Sequence, residues 1–293
     1  NDLINEAIKF SNIPEHETTR PRNLGPFLAA TRKRNYHDDG IILGPTRPHG
    51  AVNGLIIKNG YIVAEWGDTK RVDMTFSVTK SYLSIMAGLA LDKGLIHEIH
   101  DKVQDYVCDG NFDSEHNSKV TWHHLLQQTN EWVGTLWDKH FLAGTDNVVM
   151  REPQEPGKHF EYNDLRVNLT ALSLLHVLRK PLPQVLKEEI MDPIGASNTW
   201  RWYGYRNSWV NIDGLKMQSV SGGGHWGGGL HINSRDHARF GYLILNRGKW
   251  NERQLVSEKW IDMMKTPCSL NPAYGYMWWL PKNQKQFANV PEN

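Results

Sequence analysis

The chain has 293 residues, enough for one large domain or for two lobes that share a core. Its 33 Lys and Arg against 32 Asp and Glu leave a formal net charge of +1, so charge gives no reason to expect nucleic acid or an anionic membrane as partner. No uncharged apolar run reaches the roughly 18–20 residues that span a bilayer. The opening residues, from Asn1 to Glu6, do not read as a signal peptide. The two cysteines, Cys108 and Cys268, read as free buried thiols rather than a bridge.

Taken in order, Asp2 to Phe10 has helical periodicity, and the Pro-, Arg- and Asn-rich stretch from Ser11 to Pro48 reads as irregular and exposed. Gly54 to Trp66 is a hairpin, two β-rich runs around Asn59-Gly60. Ser77 to Lys93 is a strongly apolar central helix with Gly94 placed to end it. Short helices and loops are expected at 101–105 and 109–119, and Thr121 caps a further helix. The loop at 130–145 carries Trp132 and Trp137. Helical runs follow from Tyr162 to Arg179 and from Leu182 to Met191, then strand-like stretches at 200–204 and 208–212. Residues 221–229 are Ser-Gly-Gly-Gly-His-Trp-Gly-Gly-Gly, followed by a helix capped by Ser234, another at 257–264, and a strand candidate from Tyr274 to Leu280. This order, with strand signals near both ends and helices between, suggests one sheet built from the chain ends around a helical insertion.

Chemistry concentrates at Ser77-Val78-Thr79-Lys80. Residues three apart share a helical face with Cβ atoms roughly 5–6 Å apart, so a hydroxyl and an amine meet at a helix end in apolar surroundings, the setting that activates a serine nucleophile. For Lys80 to act as base near neutrality its pKa must fall by roughly three units from about 10.4, which asks about 4 kcal/mol of the environment. Desolvation among Val78, Ile85 and the packed interior is expected to supply part of this, with a second cation and the positive potential of the helix N-terminus adding to it. A serine that caps a helix beside a solvated lysine is the plain alternative. Tyr162, opening a helix, is placed to relay a proton or simply to pack in the core. The glycine cluster lacks the order of a phosphate-binding loop; it reads as a cleft wall where His225 and Trp226 line the cleft or else pack. His97-Glu98-Ile99-His100 has the wrong spacing for a zinc helix and His123 and His124 point to different faces, so neither metal nor cofactor is expected.

Ser77-Val-Thr-Lys80 taken with Tyr162-Asn163-Asp164 resembles the serine β-lactamase and penicillin-binding-protein-like hydrolases, and most of all their class C-like branch of esterases and 6-aminohexanoate-dimer hydrolases. The hairpin, the segment His123–Trp132, the run Gly227–Gly241 and Tyr274–Trp279 occur in the same order, so the resemblance covers roughly residues 50–280. It implies an α+β fold: an antiparallel sheet flanked by helices in an α/β lobe of residues 1–75 and 228–293, and a mostly helical lobe of 76–227, with the active site between them. It implies Ser77 as nucleophile, Lys80 as general base and Tyr162 as proton relay; Trp132, Trp137 and His225 are expected to shape the acyl pocket, with Asp164 and Trp226 also facing the substrate. The Ser77 backbone N–H and one from a late strand would form the oxyanion hole, and a periplasmic or secreted location is favoured. The late strand, a Lys/His-x-Gly or Gly-rich segment, is expected after Trp279 and is not found before Asn293. Asp164 stands where the resemblance implies asparagine; a carboxylate accepts hydrogen bonds but does not donate them. That favours ester or linear amide substrates over a lactam. The expected activity is cleavage of a small-molecule ester or amide through an acyl-serine. The alternatives are a β-lactamase or D-Ala-D-Ala carboxypeptidase, and a non-catalytic binding or sensor protein of the same fold.

Overall fold

The computed structural model describes residues 2–11, 21–145 and 151–282. Helices α1 (Asp2–Ser11) and α2 (Leu24–Arg32) come first. α2 lies inside the stretch expected to be irregular; it buries Leu24 and Leu28, and its Pro and Gly residues near the start mask a helical period that only tertiary packing brings out. Strands β1 (Gly54–Lys58) and β2 (Tyr61–Trp66) form the expected hairpin. Asn59 and Gly60 both have positive φ, 52° and 82°, as a two-residue type I′ turn demands.

β3 (Val72–Met74) leads through a single 3-10 turn, Phe76–Val78, into α3 (Thr79–Asp92). The expected helix therefore begins two residues late, and Ser77 sits in the tight turn ahead of it. Nearly every residue of α3 from Thr79 to Ala90 is buried, as befits a helix apolar on all sides. Gly88 lies so close to Trp260 that a Cβ would meet the indole at 2.4 Å. Tyr82 stacks on Phe240 with ring centroids 3.8 Å apart. α4 (Trp122–Leu126) is capped by Thr121 as expected, and the His124 ring returns the bond to the Thr121 N–H.

The short hairpin β4 (Thr135–Leu136) and β5 (Lys139–His140) precedes α5 (Asp164–Leu178) and α6 (Leu182–Leu186). α5 starts at Asp164 and not at Tyr162 because the Asn163 side chain accepts from the N–H groups of Leu165 and Arg166. β6 (Arg201–Ile212) and β7 (Leu215–Val220) form a long hairpin; the two strand-like stretches of the sequence are one strand with an irregular register between Gly204 and Trp209. β8 (Gly229–Asn233) then completes a four-stranded antiparallel sheet of order β3-β8-β6-β7. Residues 201–220, assigned by sequence to the helical lobe, thus belong to this sheet. α7 (Ser234–Leu245) is capped by Asn233 and not by Ser234, because the Asn233 side chain reaches the Asp236 N–H. A short pair, β9 (Lys249–Trp250) and β10 (Arg253–Gln254), precedes α8 (Glu258–Met263), capped by Ser257.

Two further expectations change, and a third is not tested. Tyr274 to Leu280 is not a strand: Tyr274 and Trp279 form an isolated bridge, and the Met277 N–H bonds to the Leu126 carbonyl. Cys108 is exposed while Cys268 is buried, and both are free. The late strand sought after Trp279 falls mostly on residues 283–293, outside the described residues. No helix among the described residues is long and apolar enough to cross a membrane.

Behind α5 lies a buried charge network. Glu131, fully buried, accepts from Arg151 at 2.6 and 2.8 Å and from Arg166 at 3.1 Å, and Arg166 also holds Glu161 at 2.6 Å and the Trp132 carbonyl at 3.1 Å. Glu131→Ala strands the buried Arg166 guanidinium beside one remaining carboxylate and is expected to cost roughly 3–5 kcal/mol, read by urea denaturation.

His100, His123 and His124 crowd one another, the first two with ring centroids 4.6 Å apart. Burial, and then its histidine neighbours, push His123 down to about 4. The unfolded chain binds this proton near pH 6.5 and the folded chain only near 4, so stability falls as pH drops across that window. His123→Gln is expected to flatten the Tm-versus-pH curve between pH 6.5 and 4; an unchanged slope counts against the assignment.

Candidate active site

Ser77 is presented by a turn clamped to the sheet from both sides. The Thr75 N–H and hydroxyl both donate to the Leu230 carbonyl, at 3.0 and 2.8 Å, and the Leu230 N–H donates to the Thr79 hydroxyl at 3.1 Å. Phe76, just before Ser77, has φ of 48°, a left-handed conformation uncommon for a large side chain. Ser77 keeps partial exposure while Lys80, one turn on, is buried.

Lys80 Nζ donates to Ser77 Oγ at 3.0 Å and to Asp164 Oδ1 at 2.7 Å, and lies 4.6 Å from the centroid of the Tyr162 ring. The structure therefore gathers Ser77, Lys80, Tyr162 and Asp164 around one ammonium. Its electrostatics run against the expectation for Lys80. Burial pulls the ammonium down, but the Asp164 carboxylate and the Tyr162 oxygen outweigh it, and the net direction is upward. Val78, one expected source of desolvation, is exposed. Asp164 is correspondingly held low: burial raises it, and the charge of Lys80 with the His225 hydrogen bond more than offsets that.

His225 is buried and joins the group: its Nδ1 lies 3.1 Å from Asp164 Oδ2. Gly223 completes the packing, because a Cβ there would fall 2.0 Å from Asp164 Oδ1 and 2.4 Å from Lys80 Nζ. Only a residue without a side chain lets the backbone lie against this ion pair.

Ser77, Tyr162, Asp164 and His225 line one cleft of about 230 Å³. Its other walls are Phe76, Gly223 and Gly224 and, from α2, Phe27, Leu28, Thr31 and Arg32. The α2 residues were not singled out from sequence. Neither was Gln128, whose side chain accepts from the Asn163 N–H at 2.7 Å and donates to the Tyr274 hydroxyl at 2.9 Å, locking the turn that carries Tyr162. Trp279 stacks on Tyr162, centroids 5.5 Å apart. The segments that hold Gln128 and Trp279 were marked only by resemblance.

The tryptophans expected to shape the acyl pocket are placed elsewhere. Trp132 is buried and donates to the Asn111 carbonyl at 2.7 Å. Trp226 is fully buried, donating to Asp38 Oδ2 at 2.6 Å with Lys139 Nζ 5.3 Å from its ring. Trp137 sits in the β4–β5 turn with φ of 55°. None of the three lines the cleft. A larger groove, about 870 Å³, runs between the β1–β2 hairpin and α7 and contains none of the residues singled out for chemistry. Among the described residues no group of three or more His, Cys, Asp or Glu is arranged to hold a metal ion.

Comparison with known proteins agrees with the fold. The chain is similar to a proposed beta-lactamase from Bacteroides dorei, with TM-score 0.60 and 16% identity, covering 87% of this chain and 78% of the other. It is similar to EstCE1, a hydrolase with promiscuous acyltransferase activity, with TM-score 0.56 and 16% identity over 92% and 86% of the two chains. A proposed 6-aminohexanoate-dimer hydrolase from Bacillus anthracis gives TM-score 0.55 and 16% identity over 79% and 66%. In sequence this chain is 24% identical to an uncharacterized protein of Alkalihalophilus pseudofirmus, over 77% of this chain and 69% of the other. The profile of the Beta-lactamase family matches residues 55–286, and the chain belongs to that family.

Proposed function

We propose that the protein is a serine hydrolase that cleaves a carboxylic ester or linear amide through an acyl-serine on Ser77. The observation that carries this reading is the 3.0 Å hydrogen bond from Lys80 Nζ to Ser77 Oγ at the wall of a cleft that also holds Tyr162. In its neutral form Lys80 takes the Ser77 proton as Oγ adds to the carbonyl. Tyr162 then supplies a proton to the departing alkoxide or amine, and water releases the acyl group by the reverse route. Two proteins of similar fold support this reading: EstCE1 is a hydrolase with promiscuous acyltransferase activity, and the substrate named for the other, a 6-aminohexanoate dimer, is a linear amide. Asp164 favours the same side over a lactam. Its carboxylate is engaged by Lys80 and His225 and has no hydrogen to offer an acyl-amide carbonyl.

A second reading, a non-catalytic binding protein of the same fold, draws on the same ion pair. An ammonium held charged by Asp164 has no lone pair with which to take a proton from Ser77. The two readings part on covalent chemistry. A fluorophosphonate probe is expected to label the wild-type protein and to leave Ser77→Ala unlabelled, and 4-nitrophenyl ester turnover is expected to fall at least a thousandfold in that variant. Equal labelling of both proteins removes Ser77 as nucleophile, and no labelling of either favours the binding protein.

The ion pair also fixes a pH dependence. Only neutral Lys80 serves as base, and Asp164 raises the pH at which it becomes neutral, so kcat/KM is expected to climb on the alkaline side. Asp164→Asn removes the carboxylate and shifts this limb to lower pH, raising the rate at neutral pH relative to its plateau. A limb that stays in place in Asp164→Asn assigns the titration to another group.

A further inference from the structure

We propose that Gln128 is a positioning residue for leaving-group protonation: it fixes the backbone on both sides of Tyr162 and so sets where the phenol meets the departing alkoxide or amine. This rests on the hydrolase reading above and extends it to the step in which the leaving group departs.

α4 ends at Leu126, and the chain passes Gln127 to reach Gln128 with φ of 55°. Glycine commonly takes this left-handed place after a helix, because it has no side chain to strain there. At this position a buried side chain is used instead. The Gln128 backbone carbonyl accepts from the Glu161 N–H at 3.0 Å, and its side-chain Oε1 accepts from the Asn163 N–H at 2.7 Å. Tyr162 lies between those two amides, so one residue grips the chain immediately before and after it. A backbone N–H only donates, which makes the atom facing Asn163 the oxygen and leaves the NH2 to donate to the Tyr274 hydroxyl at 2.9 Å. An amide offers an acceptor and a donor on one planar group, and here both are engaged.

Tyr274 returns to the same phenol from another direction. Its ring meets the Tyr162 ring edge-on, centroids 6.0 Å apart, while Trp279 stacks on Tyr162. Between these two aromatics in the chain, the Met277 N–H bonds to the Leu126 carbonyl at 3.0 Å. Residues 126–128 thus anchor both the turn that carries Tyr162 and the aromatic segment packed on its ring. Ring contacts set the tilt of a phenol but let it slide; hydrogen bonds to the flanking amides fix the backbone from which it projects.

The consequence is chemical. During acylation the Ser77 proton passes to neutral Lys80 as Oγ bonds to the carbonyl carbon. When the carbon–oxygen or carbon–nitrogen bond then breaks, its electron pair leaves with the alkoxide or amine, which takes the Tyr162 proton, and the phenolate recovers one from the Lys80 ammonium. Ethoxide is a strong base and departs only with that proton. 4-Nitrophenolate is a weak base and departs without it. A displacement of the phenol by about 1 Å, enough to cost on the order of 10²-fold in rate, therefore falls on an alkyl ester far more than on the nitrophenyl ester.

The test compares ethyl butyrate with 4-nitrophenyl butyrate, which share an acyl group and differ in leaving group; kcat/KM reports acylation for both. Gln128→Leu, similar in size and without hydrogen-bonding groups, is expected to lower the ethyl-to-nitrophenyl ratio on the order of 10²-fold, in the same direction as Tyr162→Phe. Gln128→Glu keeps the acceptor for the Asn163 N–H and is expected to restore most of the ratio. Where Gln128→Leu does not fold, Tyr274→Phe removes only the far anchor of the amide and is expected to lower the same ratio by a smaller factor. Equal losses on both esters, or an unchanged ratio, overturn the proposal.

The place of the phenol is read apart from turnover by fluorine NMR of Ser77→Ala carrying 3-fluorotyrosine at position 162. A single resonance is expected with Gln128 in place, and a shifted or second resonance in Gln128→Leu. That change supports the positioning even where neither ester turns over, which would then count against the hydrolase reading alone. An identical resonance in both proteins overturns the positioning whatever the esters show.

Discussion

The buried ion pair between Lys80 and Asp164 organises the rest of the structure. Placing an ammonium and a carboxylate where water does not reach is tolerable only with close geometry and further hydrogen bonds on both groups. Each requirement is met by a different part of the chain. α3 supplies Lys80 and α5 supplies Asp164, and the two helices are buried over most of their lengths. Asn163 fixes where α5 begins and so where Asp164 points, and Gln128 holds the turn before it. The glycine-rich segment closes over the pair at Gly223, and His225 takes the second carboxylate oxygen. Ser77 is the partly exposed member of the group, joined to it through the 3.0 Å bond from Lys80.

What the sequence made legible was local. Asn59-Gly60 specifies a hairpin because two consecutive positive φ angles leave few other residues available, and Thr121 caps its helix because a side-chain oxygen two or three residues before a helical N–H has little else to bind. Ser77 and Lys80 were legible for the same reason, since one helical turn, here a 3-10 turn running into α3, fixes their separation. Where two equally good local signals compete, sequence does not decide: Asn233 and Ser234 are adjacent N-cap types, and the difference of one residue is set by which side chain finds the Asp236 N–H.

Long-range partners were not legible. The sign of the Lys80 shift depends on a carboxylate 84 positions away, and a reading that counts apolar neighbours sees only the desolvation that lowers it. The tryptophans were misplaced for a related reason. A large ring with one N–H suits a cleft and a core equally, and Trp132 and Trp226 went to the core because Asn111 and Asp38 offered acceptors there. α2 was hidden by its composition, and with it one wall of the cleft. Nothing in residues 24–32 announces a partner 193 positions on.

The feature that builds the site also opposes the chemistry. A lone lysine in this interior would lose its proton easily and serve as a base, but it would have no reason to stay oriented toward Ser77. With Asp164 present the ammonium is fixed in place, and its basicity is masked by the same contact. His225 shifts this balance, because a hydrogen bond to Oδ2 withdraws carboxylate charge that would otherwise bear on Lys80. Arg32, whose Nη1 lies 2.8 Å from Nε2 of the same imidazole, strengthens that withdrawal by polarising the ring toward Asp164. The chain Arg32–His225–Asp164–Lys80–Ser77 therefore runs from the cleft wall to the nucleophile as alternating donors and acceptors.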